Sequence, residues 1–480
     1  MGNEQSTAVI QLTKGRKNLI QFGAMCLTIS IACYGLALST LITPILENFN
    51  AMDYVGLFSV LGSIGITIMT PIGGKLGDIF GRKATVQVAG IACILFGIGI
   101  AYAPTLLILM ICRIGVGIAQ GAFMAAPYII VGVINEKKDV PKAMGLLATA
   151  LAIGGFVGSI IAGVLTDLGL LKLAILFPAI PLVIGVVLIG FLYPNDRNVS
   201  GKARIDIPGI VLLVIALCGI LLPLNFGSTF GWTNPVILLG FAIGIAFIFI
   251  FIRVESKTEQ PIIPVKLFEE KKYLAFVIIS FICYIYRGAM DVYAPLGAIN
   301  VMGTSAATAG SLQFPRTIVT MFLPVLAGTW VAKKKENMWK AMAFATALSA
   351  IPMLAMGFTT QSSSYVIVYY VALTITGVAE SFRGVSTTPA AQGCLKPEDI
   401  GVGTALVNFA NSLASSLAAA LYGTIYGGFT TADATNVTLI QKGVNGVFLT
   451  AGVITLVGVA LVLFWIRPML REENDDENNI

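Results

Sequence analysis

Long apolar runs separated by short polar or charged turns fill almost the whole chain. Crossing a bilayer as a helix takes roughly 20 apolar residues. Fourteen runs meet that length, at about 19–46, 54–77, 84–103, 105–134, 143–166, 171–193, 207–226, 232–253, 272–300, 305–331, 340–358, 364–391, 401–428 and 443–466. The pattern predicts an all-α, polytopic membrane protein with 14 transmembrane helices. An even number places both termini on one side of the membrane.

Charge decides which side. With a cytoplasmic N-terminus, 24 of the 30 Lys and Arg fall in cytoplasmic loops and tails, two (Lys172 and Lys442) on the opposite side, and four inside spans. This is a strong positive-inside pattern. It predicts a multi-pass protein of the plasma membrane with both termini in the cytoplasm. Because its placement explains the net charge of +6, that charge is no sign of nucleic-acid binding. The charged fraction of 11% is well below the roughly one quarter of a soluble chain, so most surfaces must face lipid or other helices. The N-terminal residues are short and polar, and the first run is too long for a signal peptide.

Seven cysteines, Cys26, Cys33, Cys93, Cys112, Cys218, Cys283 and Cys394, show no pairing or metal-site spacing and read as small buried hydrophobes. Histidine is absent. That removes His-based catalysis and His metal ligation, so no metal site and no cofactor are expected, and proton coupling must use carboxylates. A membrane-embedded enzyme would need a nucleophile, base or metal cluster that this chain does not offer. The longest loop, about twenty residues, is too small for a receptor's soluble domain.

Between the second and third runs stands Gly74-Lys-Leu-Gly-Asp-Ile-Phe-Gly-Arg-Lys83. Gly74 and Gly77 allow two helices to approach closely. Gly81 permits a tight turn. Asp78, at a helix end, is placed to cap a neighbouring helix N-terminus or to pair with Arg82 or Lys83. This G-x-x-x-D-x-x-G-R-K pattern resembles the loop signature of the major facilitator superfamily of secondary transporters. The resemblance implies a carrier that alternates access across the bilayer, works as a monomer, and uses Gly74, Asp78, Gly81, Arg82 and Lys83 as a cytoplasmic conformational latch. Ile79 departs from the family, which usually has a basic residue there.

Runs 1–6 and 9–14 then read as two pseudo-symmetric six-helix bundles with the substrate site between them near the midplane. A worn copy of the signature, Gly328-Thr-Trp-Val-Ala-Lys-Lys-Lys335, follows the tenth run, with Ala332 in the place of Asp78. The expected domains are a cytoplasmic N-terminus (1–18), an N-terminal bundle (19–193), inserted helices 7–8 with their loops (194–271), a C-terminal bundle (272–466) and an acidic tail (467–480), its last residues disordered. The loop Glu259-Gln-Pro-Ile-Ile-Pro-Val-Lys-Leu-Phe268 resembles that of the fourteen-span drug:proton antiporter branch. It also reads as a Pro-punctuated linker on the membrane surface.

The chain departs from those exporters in three places. Span 1, Tyr34-Gly-Leu-Ala-Leu-Ser-Thr-Leu-Ile-Thr-Pro44, carries no acid. In span 5, Gly154, Gly158 and Gly163 match the antiporter motif, but Ser159 replaces its proline; the glycines alone also serve close helix packing. In span 4, Arg113-Ile-Gly-Val-Gly117 resembles a proton-coupling motif with Val116 in place of Gln, and Gln120 lies one turn further on nearly the same face.

Six ionisable residues lie well inside spans: Arg113, Arg287, Asp291, Arg316, Glu380 and Arg383. Each costs a few kcal/mol or more in the membrane core and is a functional candidate by default. Arg287 with Asp291 (i, i+4) and Glu380 with Arg383 (i, i+3) share helix faces. Pro315 bends the helix beside Arg316. The pairs read either as structural ion pairs or as proton-coupling sites, with Asp291, Glu380 and Arg113 the coupling candidates. Four arginines against two acids favour an anionic substrate, held by Arg287, Arg316 and Arg383 with Tyr34 and Gln120. Tyr34, Phe123, Tyr128, Tyr284, Tyr286, Tyr293 and Phe382 are aromatic candidates for a cavity wall.

The expected function is secondary active transport of a small organic solute, coupled to protons. One version is a multidrug or toxic-compound exporter. The other is a proton symporter for an organic anion, bile-acid-like or another carboxylate. The partners are the lipid bilayer, the solute and protons.

Overall fold

The computed structural model describes residues 13–51, 54–136, 138–195, 206–258, 261, 263–334, 336–396, 399–430 and 436–470. The polar N-terminal residues 1–12, the residues 196–205, Glu259, Gln260 and Ile262 of the Pro-punctuated loop, Lys335 of the worn signature and the acidic tail 471–480 lie outside the described residues.

Among the described residues there are fourteen helices long and apolar enough to cross a membrane, and no strand. They are α1 (Lys14–Thr40), α2 (Val55–Phe80), α3 (Arg82–Ala101), α4 (Leu106–Ile134), α5 (Val140–Asp167), α6 (Leu171–Leu192), α7 (Ile207–Phe230), α8 (Pro235–Glu255), α9 (Lys271–Asn300), α10 (Thr308–Ala332), α11 (Asn337–Met356), α12 (Ser363–Gly393), α13 (Ile400–Thr430) and α14 (Val437–Leu470). The apolar runs located every one of them. The largest shifts are six residues: α1 ends at Thr40 against the expected 46, and α14 starts at Val437 against the expected 443. The Asn436 side chain there accepts from Thr438 N and Leu439 N and caps the helix, so Lys442 falls in its opening turns instead of in a loop.

Internal contacts divide the chain into two units. The first comprises residues up to Cys218, Phe247–Lys266 and Leu395–Phe409; the second comprises Gly219–Ala246, Leu267–Cys394 and the residues from Ala410 onward. So α1–α6 belong to the first and α9–α12 and α14 to the second, while α7, α8 and α13 are each shared.

In the first unit, α1 is the central helix. Gly154 and Gly158 of α5 lie against the backbone of Ile29 and Cys33, so that a Cβ at either would overlap α1. Gly117 and Gly121 of α4 meet the backbone of Gly62 and Ile66 of α2 in the same way. Small residues bring the backbones together where lipid gives no hydrophobic drive to association. Gly163, expected to join this packing, has nothing within 4 Å of its Cβ position. Five residues on from Gly158, it lies off the face that meets α1, since a helix of 3.6 residues per turn repeats a face every three or four residues. Tyr34 is fully buried in an apolar cluster with Leu38, Cys93 and Phe123. In this structure its ring leaves no face exposed and lies in the first unit, not with the charges of the second.

Three local irregularities shape the helices. α4 breaks at Met124–Ala125 and restarts at Ala126 with Pro127 in the opening turn. In α10, a short helix Ala306–Ser311 gives way to Gln313–Ala332, so Pro315 falls in the first turn of a new segment, where it is tolerated. In α9, the α-helix Lys271–Gly288 passes into a π segment, Ala289–Tyr293, before continuing as Ala294–Asn300.

The α1–α5 contact gives a direct test. Gly154→Val should destabilise by about 1–3 kcal/mol through overpacking, read as a lower melting temperature in detergent. Gly163→Ala should leave it unchanged or slightly raised. Equal losses in both would remove the special role of Gly154.

Candidate functional site

Five intramembrane charges converge in the second unit. Arg287 and Asp291 come from α9, Arg316 from α10, and Glu380 and Arg383 from α12. Arg287 Nε is 3.4 Å from Asp291 Oδ2, and Asp291 Oδ1 is 3.9 Å from Arg316 Nη1. Arg316 Nη2 is 3.8 Å from Glu380 Oε2, and Glu380 Oε1 is 3.7 Å from Arg287 Nη1. These four contacts close a ring in which two guanidiniums alternate with two carboxylates. The separate intrahelical pairs expected from spacing are thus edges of one network. The i, i+4 rule placed Asp291 beside Arg287, but only the packing of α9, α10 and α12 brings in Arg316.

Glu380 is the anchor. Arg383 Nη2 donates to its Oε1 at 2.5 Å, and the Tyr286 hydroxyl donates to its Oε2 at 3.0 Å. Its side chain is 14% exposed, against 44% for Asp291, which forms the open corner. An ion taken out of water costs several kcal/mol unless partners compensate it, and Glu380 collects three guanidiniums and a hydroxyl.

Tyr284 organises the arginines. The Arg383 guanidinium lies 4.7 Å and that of Arg287 5.5 Å from its ring centroid, and Arg287 Nη1 donates to its hydroxyl at 3.2 Å. Arg316 Nη1 donates to Gln313 Oε1 at 3.4 Å. Tyr284 and Gln313 each stand three residues before the arginine they touch, a spacing that could have marked both. Three guanidiniums face two carboxylates, leaving one surplus positive charge. Among the described residues, the buried Nε–H groups of Arg316 and Arg383 have no acceptor. Such a site is chemically suited to an anion.

The other intramembrane arginine stands apart. Arg113, in the first unit, is buried; its Nε donates to Phe58 O at 3.2 Å, its guanidinium lies 5.1 Å from the Phe58 ring, and it rests on Gly62. It has no carboxylate partner among the described residues. The local charge balance at the ring is therefore three to two instead of the four to two counted along the chain. Gln120 is buried on the same helix, its Nε2 without a hydrogen-bond partner among the described residues. Of the other aromatics, Phe123 is core, Tyr293 packs against Tyr422 and Tyr426, and Phe382 against Trp330 and Phe344.

The turn between α2 and α3 forms a second polar constellation, wholly within the first unit. Asp78 Oδ1 accepts from Arg82 Nη2 at 3.0 Å. Asp78 Oδ2 accepts from Val402 N at 3.1 Å, so the carboxylate caps the opening turn of α13. Gly81 has φ 90°, a region that favours glycine. A Cβ at Gly401 would collide with the Asp78 carboxylate, and one at Gly74 with the Ala405 side chain. Lys83 makes no ion pair among the described residues. The motif named the aspartate and its arginine; it gave no hint of Val402, more than three hundred residues away.

Fourteen helices long and apolar enough to cross a membrane, with a compensated charged cluster in the second unit, define a polytopic membrane protein. Residues 22–419 match the model of the Major Facilitator Superfamily, and the chain belongs to that family. It is 25% identical over 401 residues to Citrate exporter 1 of Yarrowia lipolytica, covering 82% of this chain and 59% of that protein. It is 25% identical over 324 residues to the multidrug transporter protein MdtP of Bacillus subtilis, covering 67% of this chain and 59% of that one. The chain thus spans 59% of the length of each of these relatives. In fold it is similar to the human organic anion transporter MFSD10 (TM-score 0.67, 14% identity, 94% of this chain and 100% of that one) and to the proton:xylose symporter XylE (TM-score 0.66, 15% identity, 95% and 97%).

Two substitutions probe the two constellations. Glu380→Gln strips compensation from buried arginines and should destabilise by about 3–5 kcal/mol, or force a charge change visible as pH-dependent melting. Asp78→Ala removes a helix cap and should cost about 0.5–2 kcal/mol, with Asp78→Asn recovering part of it. Melting temperatures indifferent to all three would strip both constellations of structural weight.

Proposed function

We propose that this transporter carries a small organic anion in secondary active fashion, coupled to protons, with Arg287, Arg316 and Arg383 as the anion-binding groups and Asp291 as the proton-exchanging one. The observation that carries the reading is the surplus cation of the ring together with its two unsatisfied guanidinium donors. Guanidinium forks suit the planar, bidentate geometry of a carboxylate. Glu380 is assigned the scaffold role because it is enclosed, and Asp291 the exchange role because it is the open corner. The printed names of a citrate exporter among the sequence relatives and an organic anion transporter among the fold neighbours are in keeping with this.

A multidrug or toxic-compound exporter is the second reading. It is favoured by the fourteen spans, the Pro-Val-Lys-Leu-Phe loop and the multidrug transporters among the relatives. The placement of Lys and Arg supports both termini being cytoplasmic in a plasma membrane. The Asp78–Val402 contact supports a latch that holds one conformation and releases in the other.

Flux in proteoliposomes under an imposed pH gradient separates the readings. Labelled amphipathic anions and cations should be tested side by side, with Asp291→Asn beside the parent. Anion accumulation toward the alkaline side, lost in Asp291→Asn, is the expected result. Cation movement against the proton flow would replace it with the exporter. Gradient-independent flux, equal in both proteins, would reduce Asp291 to a structural ion.

A further inference from the structure

The Asp291 corner differs from the rest of the ring in three respects. It is the most exposed of the five charges, and its contacts, 3.4 and 3.9 Å, include the longest. Its carboxylate bridges two guanidiniums on different helices, Arg287 Nε with one oxygen and Arg316 Nη1 with the other. It also sits in the π segment Ala289–Tyr293, a widened turn of a kind frequent at functional sites. A carboxylate bridging two arginines in this way occupies the position that a substrate carboxylate would take.

We infer that Asp291 is a placeholder: in the empty carrier its carboxylate fills the anion position between Arg287 and Arg316, and on accepting a proton it yields that position to the carboxylate of a monovalent organic anion. This rests on the anion-transport reading and specifies its substrate class and stoichiometry. No covalent bond other than the new O–H forms, and the proton comes from water. The position is one carboxylate wide. Empty, the ring holds three guanidiniums and two carboxylates. Loaded, it holds three guanidiniums, ionised Glu380, neutral Asp291 and one bound carboxylate. The surplus of one positive charge is the same in both, so a proton and a monoanion cross together without net charge movement. In the membrane interior, where each uncompensated charge is costly, such a cycle avoids exposing a second surplus charge.

The charged neighbours of Asp291 are few. On α9 they are Arg287, with Tyr284 and Tyr286 behind it and Tyr293 in the π segment. From α10 comes Arg316, and from α12 Glu380 and, beyond it, Arg383. From α13, Tyr422 and Tyr426 pack on Tyr293. α14 packs near the π segment with Val444, Val447 and Phe448. Its ionisable residues are Lys442, exposed near its start, and Arg467, stacked on Trp339. Asp291 is therefore the exposed proton acceptor of the group.

The test uses the full chain with benzoate as probe, in both binding and flux. In the parent, benzoate affinity should rise about tenfold for each unit of falling pH across the range where the placeholder is ionised, the slope of one linked proton. In Asp291→Asn the position is permanently vacated, so affinity should be independent of pH and at least equal to the parent's low-pH value. A merely structural aspartate would lower affinity at every pH. Benzoate uptake driven by a pH gradient should not respond to a valinomycin-imposed potassium potential. Uptake that follows the potential, or an Asp291→Asn affinity that still tracks pH, overturns the placeholder while leaving anion transport standing. Absence of saturable benzoate binding in either protein at any pH, with cations transported instead, removes the anion reading and the placeholder with it. Asp291→Glu, which keeps the charge, should retain the pH slope and shows that a flat profile in the amide is not misfolding.

Discussion

The cost of an ion inside hydrocarbon governs this molecule. A bilayer offers no water to solvate a guanidinium, so each one brought to mid-span needs a partner from the protein. The three arginines in the second unit meet that demand by sharing Glu380, which lies within 3.8 Å of all of them. The sharing dictates geometry: α9, α10 and α12 must each present one face at one depth, and Tyr284 and Tyr286 must fill the space between them. Replacing a carboxylate leaves the arginines undercompensated and replacing an arginine takes a donor from Glu380, so the ring behaves as a unit whose members cannot be valued singly. Arg113 obeys the same rule by another route, with a backbone carbonyl and an aromatic face in place of an acid.

Small residues make that precision possible. The interior of the first unit is drawn together at glycines whose missing Cβ admits a neighbouring backbone, as at Gly154 against Ile29 and Gly117 against Gly62. Dispersion falls off steeply with distance, so a close backbone contact supplies in lipid some of the attraction that water exclusion supplies elsewhere. Asp78 exploits one such approach. Only because Gly401 lacks a side chain does the carboxylate lie close enough to accept from Val402 N.

Much of this was legible along the chain, and what was not has a common cause. Apolar length located all fourteen helices, because the thickness of the bilayer imposes it on each separately. The Asp78 turn was legible because glycine, aspartate and arginine stand within a few residues of each other. Spacing on one helix paired Arg287 with Asp291 and Glu380 with Arg383. Spacing could not show that Arg316 closes the ring, that Arg113 stands outside it, or that Tyr34 is sealed in the core, since each depends on which faces of distant helices meet. The π segment at Asp291 was only half marked: Gly288 precedes it and Pro295 follows it, and the proline, with no N–H to donate to the Asp291 carbonyl, disturbs the helix there without dictating a widened turn.

The two halves divide the work unequally. In the first, the turn after the second span carries Asp78, Gly81 and Arg82; in the second, Ala332 replaces the aspartate, and the corresponding turn is tied by a neutral contact, Asn337 Nδ2 donating to Trp330 O at 2.7 Å. Conversely, the first half has a single ionisable residue well inside its spans, Arg113, and the second has five. A neutral amide-to-carbonyl contact fixes a turn without a charge to be capped or released, whereas the Asp78 carboxylate has two distinct partners to lose. The charge we propose to exchange at mid-span and the charge we propose to hold a loop thus lie in different units, so that a change at Asp291 need not disturb the electrostatics of the Asp78 turn. Each charge is compensated by near neighbours, Asp291 by Arg287 and Arg316 within the second unit and Asp78 by Arg82 and the Val402 amide of α13 within the first, so neither centre draws on the other for its stability.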